Sequence, residues 1–278
     1  MMKPKFTQAA LAAAIFGGSA LLSLVGCTKP AENTVIDTQT LSFTRVNTSA
    51  NYRLIGSAKD YESQADLTFD CKADLLMPTA VFGHDVAALQ DAILKQAFDT
   101  VGTDHNALIK DVFHSKVAEL GYALADTVVA DSGYDGLYNV DGSVEALTTN
   151  VLSYAVTVSY YTPRAAHGMY STFYVNYDVE NGKVFNINDI FTAEGLEKLP
   201  DMLKTAAKDL SGFIGPTQIE GIPQDGNFCI SANGDIVFVY QPYEVASYAQ
   251  GEISIPVAPY VLSSYLTTYG NKLLMNVD

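Results

Sequence analysis

The sequence has no tryptophan, three cysteines and four histidines, and it sets only 16 basic against 31 acidic side chains over 278 residues, a formal charge of −15. The shortage of bases excludes a nucleic-acid binder, which needs a cationic face to displace counterions from phosphates. The four histidines (His84, His105, His114 and His167) include no pair at i,i+4, so a zinc-protease helix is absent, and too few cysteines remain for a structural zinc site. No metal and no cofactor is therefore expected. After residue 27 there is no Gly-x-Ser-x-Gly elbow, phosphate-cradling loop or dinucleotide fingerprint. Nor is there any later run of 18 apolar residues that could span a bilayer as a helix. The stretch Asp131–Gly142 places Gly136 and Gly142 at positions 6 and 12 of a calcium loop. It has Gly133 at position 3 and no closing glutamate, and so reads as an acidic turn. Catalysis is not what these absences favour.

What is present begins with an address. Lys3 and Lys5 precede an apolar stretch from Ala9 to Val25, which ends in Leu24-Val25-Gly26-Cys27. This has the layout of a secretory signal and resembles the bacterial lipobox, in which the cysteine is acylated and becomes the mature N-terminus. Residues 1–26 are thus expected to be removed, leaving Cys27 as the lipid anchor in a bacterial cell envelope. Residues 27–40 form a polar tether reaching roughly 20 Å, and residues 41–278 form the folded domain. Removal takes away two lysines and no acids, so the charge of −15 becomes −17. Acylation of Cys27 leaves Cys71 and Cys229 as an even pair in an oxidising compartment, expected either as a disulfide or as two buried thiols.

The folded part changes period along its length. Leu41–Val46 and Tyr61–Leu76 read as extended. Asp85 can cap a helix through Phe98 and Asn106 a second one stopped by Gly121, each with a single apolar stripe. Val151–Tyr161 and Tyr170–Val179 are rich in β-branched and aromatic residues. Asn181-Gly182 and Asn233-Gly234 signal type I′ hairpins. A helix is expected over Leu199–Leu210 with Pro200 in its first turn, then a strand at Glu252–Val257 and a short terminal helix opened by Pro259. The class is α+β: an antiparallel sheet with helices packed on one face, two of them in the N-terminal half, one midway through the C-terminal half and a short one at the end. A sub-boundary can be placed near residues 121–134.

Tyrosine is abundant, with 17 residues. Tyr154 and Tyr160 share strand parity, as do Tyr170 and Tyr174. An aromatic sheet face of this kind can stack sugar rings, although tyrosine is also simply a good strand former.

Three segments carry a family resemblance. Arg164-Ala-Ala-His167-Gly168 stands where that family has Gly-Gly-Ala-His. Tyr177–Phe191, with its Asn-Gly182-Lys183 and Asn-Asp189-Ile-Phe191, matches an "Asp-x-x-Thr-Gly-Lys … Leu-x-Asp-Leu-Phe" pattern. Tyr240–Gly251, which contains Tyr243-Glu244-Val-Ala-Ser-Tyr248-Ala-Gln-Gly, is similar to "Tyr-Glu-Ile-Ala-Pro-Tyr-Ala-x-Gly". These segments resemble the extracytoplasmic domain of RsiV-type anti-sigma factors, found also beside the catalytic domain of PdaC-type peptidoglycan deacetylases. The resemblance implies an α+β envelope domain that binds, with a basic lysozyme-like wall hydrolase or peptidoglycan as partner, and it covers residues 40–270. Anti-sigma function itself does not carry over, because it requires a transmembrane helix and a cytoplasmic domain. The partner-binding candidates are Arg164, His167, Tyr243, Glu244 and Tyr248. The alternatives are a peptidoglycan hydrolase or deacetylase, and a glycan-binding module using exposed tyrosines.

Overall fold

The computed structural model describes residues 41–55, 67–124, 135–210 and 218–275, so Cys27 and the tether expected at 27–40 lie outside the described residues. Two long strands open the fold, β1 (Leu41–Ile55) and β2 (Leu67–Val81), paired antiparallel along nearly their whole length. Two helices follow, α1 (Ala87–Phe98) and α2 (His105–Glu119). Strand β3 (Ala123–Leu124) returns to the far end of β1. Strands β4 (Gly136–Leu147), β5 (Val151–Tyr161), β6 (Met169–Asp178) and β7 (Lys183–Phe185) then complete a seven-stranded sheet in the order β3-β1-β2-β4-β5-β6-β7. The chain continues through the short helix α3 (Ile187–Ile190) and the long helix α4 (Ala193–Ala206) into a second sheet. That sheet comprises β8 (Phe228–Ile230), β9 (Ile236–Tyr240) and β10 (Ile253–Val257), and it is followed by α5 (Pro259–Leu262) and α6 (Thr268–Met275).

The α+β class is as the sequence indicated. One pairing departs from the antiparallel pattern: β2 and β4 run parallel, Phe69 facing Gly136 and Leu75 facing Gly142. A parallel neighbour needs a long crossover, and residues 82–135, which carry both helices, provide it. Residues before and after the break at 121–134 therefore share one sheet.

Strand alternation divides the core. On β2, Leu67, Phe69, Cys71, Ala73, Leu75 and Met77 face one side. There they meet Leu89 and Ile93 of α1, Ile109, Phe113 and Val117 of α2, and Tyr154, Val156 and Tyr177 of the central strands. A second apolar cluster joins β8, β9 and β10 to α4 and α6 through Phe228, Ile230, Phe238, Ile255, Leu199, Leu203 and Leu273.

Several expected boundaries shift for local reasons. The cap of α2 is Asp104, whose carboxylate accepts from the Ala107 N–H at 3.0 Å. Asn106 instead accepts from the Thr48 hydroxyl. Helix α4 starts at Ala193, because the Thr192 hydroxyl accepts from the Gly195 N–H at 3.0 Å, and Pro200 therefore sits in its interior rather than its first turn. In both Asn-Gly turns only the glycine (Gly182 at φ 65°, Gly234 at φ 86°) takes positive φ, so neither is the two-residue type I′ turn, which requires it at both central positions.

Cys71 and Cys229 are free buried thiols and not a disulfide. Cys71 lies beneath the helices, opposite Tyr138. Cys229 lies on β8 next to Tyr174, which shares the other face of the sheet with Asn176 and Thr172. The sheet itself separates them. Burial pushes both thiols, and the Tyr138 hydroxyl, up to about 12. The folded state thus holds these groups neutral, whereas an unfolded chain would ionise its thiols from about pH 9. Their contribution is complete below that pH and is lost as pH rises towards 12. Denaturing, non-reducing alkylation is expected to modify both Cys71 and Cys229. The melting temperature is expected to hold steady from pH 7 to 8.5 and to fall above pH 9, more gently in the Cys71→Ala and Cys229→Ala variants.

The two sheets are joined by side-chain amides. Strand β7 covers β6 only at Asn176–Asp178, which leaves the outer edge of β6 open at Thr172 and Tyr174. Asn227 fills it: its Oδ1 accepts from the Tyr174 N–H at 3.0 Å, and its Nδ2 donates to the carbonyls of Thr172 (2.9 Å) and Val239 (3.1 Å). Gln241 continues the row, accepting from the Thr172 N–H at 2.9 Å and donating to the Thr172 carbonyl at 2.7 Å. Beyond them Ser153 donates to Asn176 and accepts from the Ile230 N–H, and Asn176 donates to the Phe228 carbonyl. Replacing Asn227 by leucine would orphan a buried N–H and weaken two carbonyls, a loss of about 3 kcal/mol. The Asn227→Leu variant is expected to melt roughly 6–12 °C lower, which differential scanning calorimetry would read.

Candidate functional site

Two loops converge at the Met169 end of β6. The first, residues 162–168, links β5 to β6. It turns through an Ala165 N–H to Thr162 carbonyl bond of 2.9 Å, braced by the Tyr161 hydroxyl on the Ala165 carbonyl at 3.1 Å. Arg164 sits in this turn, exposed and at φ 68°. The second loop, residues 241–252, leaves β9 and enters β10. Its tight corner places Tyr243 at φ 72°, a left-handed conformation that costs a non-glycine residue roughly 1–2 kcal/mol.

Glu244 maintains that corner. One carboxylate oxygen accepts from the Gln224 N–H at 2.6 Å and the other from the Gln241 N–H at 2.8 Å. Both carboxylate oxygens are thus engaged by the backbone. Because Gln241 is also clamped to Thr172, the corner is fixed to the sheet through a short chain of hydrogen bonds.

The rings brought together are His167, Tyr243, Tyr248 and Tyr170. His167 stacks on Tyr248 with centroids 4.4 Å apart, and Tyr243 stacks on Tyr248 at 5.6 Å. Tyr170 meets Tyr248 edge-on at 6.3 Å. His167 Nδ1 lies 2.8 Å from the Gly168 carbonyl. A carbonyl can only accept, so Nδ1 carries a proton, and Nε2 lies within hydrogen-bonding distance of the Tyr243 hydroxyl, 3.2 Å away. Gly251, at φ 70°, lets the chain pass the Tyr170 hydroxyl, which a Cβ there would approach to 2.9 Å.

Of the residues singled out from the sequence, the fold gathers His167, Tyr243 and Tyr248 into one stack, with Arg164 in the same loop and Glu244 behind it. Tyr170 was not among them. Its parity with Tyr174 places it on an aromatic sheet face and does not point to this stack; what recruits it is the close pass at Gly251. Tyr243 is 55% exposed, and the stack offers flat π faces with hydrogen-bonding edges. That is the chemistry of a contact surface. Among the described residues no group of histidines, cysteines and carboxylates is arranged to hold a metal ion.

Residues 188–259 match the family model DUF3298, a protein of unknown function. The match spans α3 to the start of α5, including the whole second sheet and the Tyr243–Tyr248 loop. Two solved structures are similar in fold. A DUF3298 family member from Bacteroides fragilis aligns with a TM-score of 0.63 at 19% identity, over 87% of this chain and 100% of its own. A DUF3298 family protein from Pseudomonas aeruginosa aligns with a TM-score of 0.54 at 12% identity, over 83% of this chain and 96% of its own. A comparison with curated proteins finds no match.

If Glu244 positions the stack, its amide analogue must disturb it, because an amide nitrogen would then face a backbone N–H. Glu244→Gln is expected to cost about 1–2 kcal/mol. It should also shift the His167 ring protons in NMR spectra away from their stacked values, while Glu194→Gln, on the surface of α4, leaves them in place.

Proposed function

We propose that this chain is a bacterial envelope lipoprotein, anchored through Cys27, whose α+β domain binds a basic partner protein of the lysozyme-like wall-hydrolase kind through the His167–Tyr243–Tyr248 surface. The observation that carries the reading is Tyr243. An exposed aromatic is held in a strained backbone conformation by a dedicated carboxylate, and such strain persists only where the surroundings over-determine it, characteristically at binding sites. A rigid tyrosine gives large contact area at little entropic cost. The charge of −17 that remains after removal of residues 1–26 adds a field that accelerates encounter with a cationic partner, and the resemblance to RsiV-type domains points to the same class of partner. The same rings would also stack on sugars, which makes soluble peptidoglycan fragments the second titrant.

Calorimetric titration of lysozyme onto the protein at low and at physiological salt tests the reading. Steering between surface charges is largely screened beyond about 8 Å at physiological salt, so binding through a specific surface is expected to weaken but persist. Tyr243→Ala is then expected to lower affinity at least tenfold, with His167→Ala and Tyr248→Ala following. Binding confined to low salt, or unaffected by all three substitutions, rules out this surface. Heat released only by the peptidoglycan fragments moves the assignment to the glycan.

A further inference from the structure

A second surface lies on the helical layer, away from the ring stack. The residues between α1 and α2 enclose an open cleft of about 630 Å³. Its floor is apolar: Phe98 closes α1, Leu108 and Val112 are half-buried on α2, and Val101 in the connecting loop is 53% exposed. Helix α2 presents one broad apolar face: Ile109, Phe113 and Val117 are buried in the core, and Leu108 and Val112, packed against the same core at its margin, line the cleft.

The rim is acidic. Asp99, Asp104, Asp111 and Glu119 border the cleft, with Lys116 as the base on it. Lys116 is held by Glu119 at 3.1 Å, and Asp99 by Lys95 of α1 at 2.6 Å. These pairs are exposed and can be exchanged at little cost. Asp104 caps α2, and Asp111 is exposed halfway along it. The lining runs from Asp104 to Glu119 along a helix of 15 residues, which is about 22 Å long. The apolar side chains, Phe98, Val101, Leu108 and Val112, lie towards the Asp104 end of that lining, and Ser115, Lys116 and Glu119 complete it. An apolar patch bordered by Asp104 and Asp111 is complementary to a helix with an apolar stripe and basic flanks.

We propose that the α1–α2 cleft is a docking site for a free basic amphipathic peptide, which binds as a helix with its apolar stripe on Leu108, Val112 and Val101 and its bases against Asp104 and Asp111. This does not rest on the ring stack, which uses different loops.

A photo-crosslinking experiment on the full chain, in a non-ionic detergent at 150 mM salt, tests it. The probe is a sixteen-residue peptide of lysine and photo-leucine at helical spacing. Crosslinks are expected on the segment 98–119. Asp111→Lys is expected to reduce their yield at least threefold. Asp141→Lys, the same change of charge on the polar face of the sheet, should leave the yield unchanged, as should Tyr243→Ala. Val112→Arg should abolish the crosslinks; Asp111→Lys, being exposed, decides the matter should Val112→Arg fail to fold. Crosslinks spread over other acidic surfaces overturn the proposal. So does an equal loss from Asp111→Lys and Asp141→Lys, because either result reduces the attraction to net charge.

Discussion

The open edge of β6 is the constraint on which the rest of this structure depends. A buried strand edge leaves N–H and C=O groups that must be paired, and a strand of β7's length reaches only three of β6's ten residues. Asn227 and Gln241 supply side-chain amides, each with one acceptor and two donor hydrogens, at Thr172 and Tyr174. A carboxamide is chemically a peptide group on a short stem, so the two side chains stand in for the missing strand. The solution has a geometric consequence. Because it consists of two residues and not a ladder, the second sheet can leave β6 at its own angle and build a separate apolar cluster with α4 and α6.

The same two residues tie the fold to the ring stack. Gln241 is the last residue before the corner that carries Tyr243, and its backbone N–H is one of the two bound by Glu244. Asn227 follows the tight turn Gln224–Gly226, and the Gln224 N–H is the other. Glu244 therefore bridges the two segments that deliver the amides to β6. The exposed rings are held by a rigid scaffold through three successive hydrogen-bonded links, which keeps an interaction surface ordered without burying it.

How much of this was legible in the sequence follows from the range of the forces involved. The helices of the N-terminal half, the long strands and the α+β class are written in local periodicity, and Val151–Tyr161 or the stripe Leu89–Ile93 could hardly be read otherwise. His167, Tyr243 and Tyr248 were legible as motif residues, but their stacking was not, since 76 residues separate His167 from Tyr243. The parallel pairing of β2 with β4 was hidden because strand order is set by long-range packing. Asn227 and Gln241 were invisible as well: an amide beside a turn looks like a turn residue until its strand-edge partner is known. Pro200 misled for a different reason. Proline favours a first turn, but the Thr192 cap and the apolar contacts of Leu199 and Leu203 outweigh one missing N–H.

The cysteine pair illustrates how composition and topology answer different questions. The pair of cysteines left by the expected acylation of Cys27 is consistent with a disulfide in an oxidising compartment, and nothing local contradicts it. What decides is strand parity. Cys71 falls in the row that faces the helices, along with Phe69, Ala73 and Leu75, whereas Cys229 follows Phe228 on a strand that meets the opposite face through Ser153 and Asn176. A disulfide requires Cα atoms within about 7 Å, and the seven-stranded sheet stands between Cys71, in the row that faces the helices, and Cys229, beside Tyr174 on its other side. The thiols are small apolar residues placed by alternation.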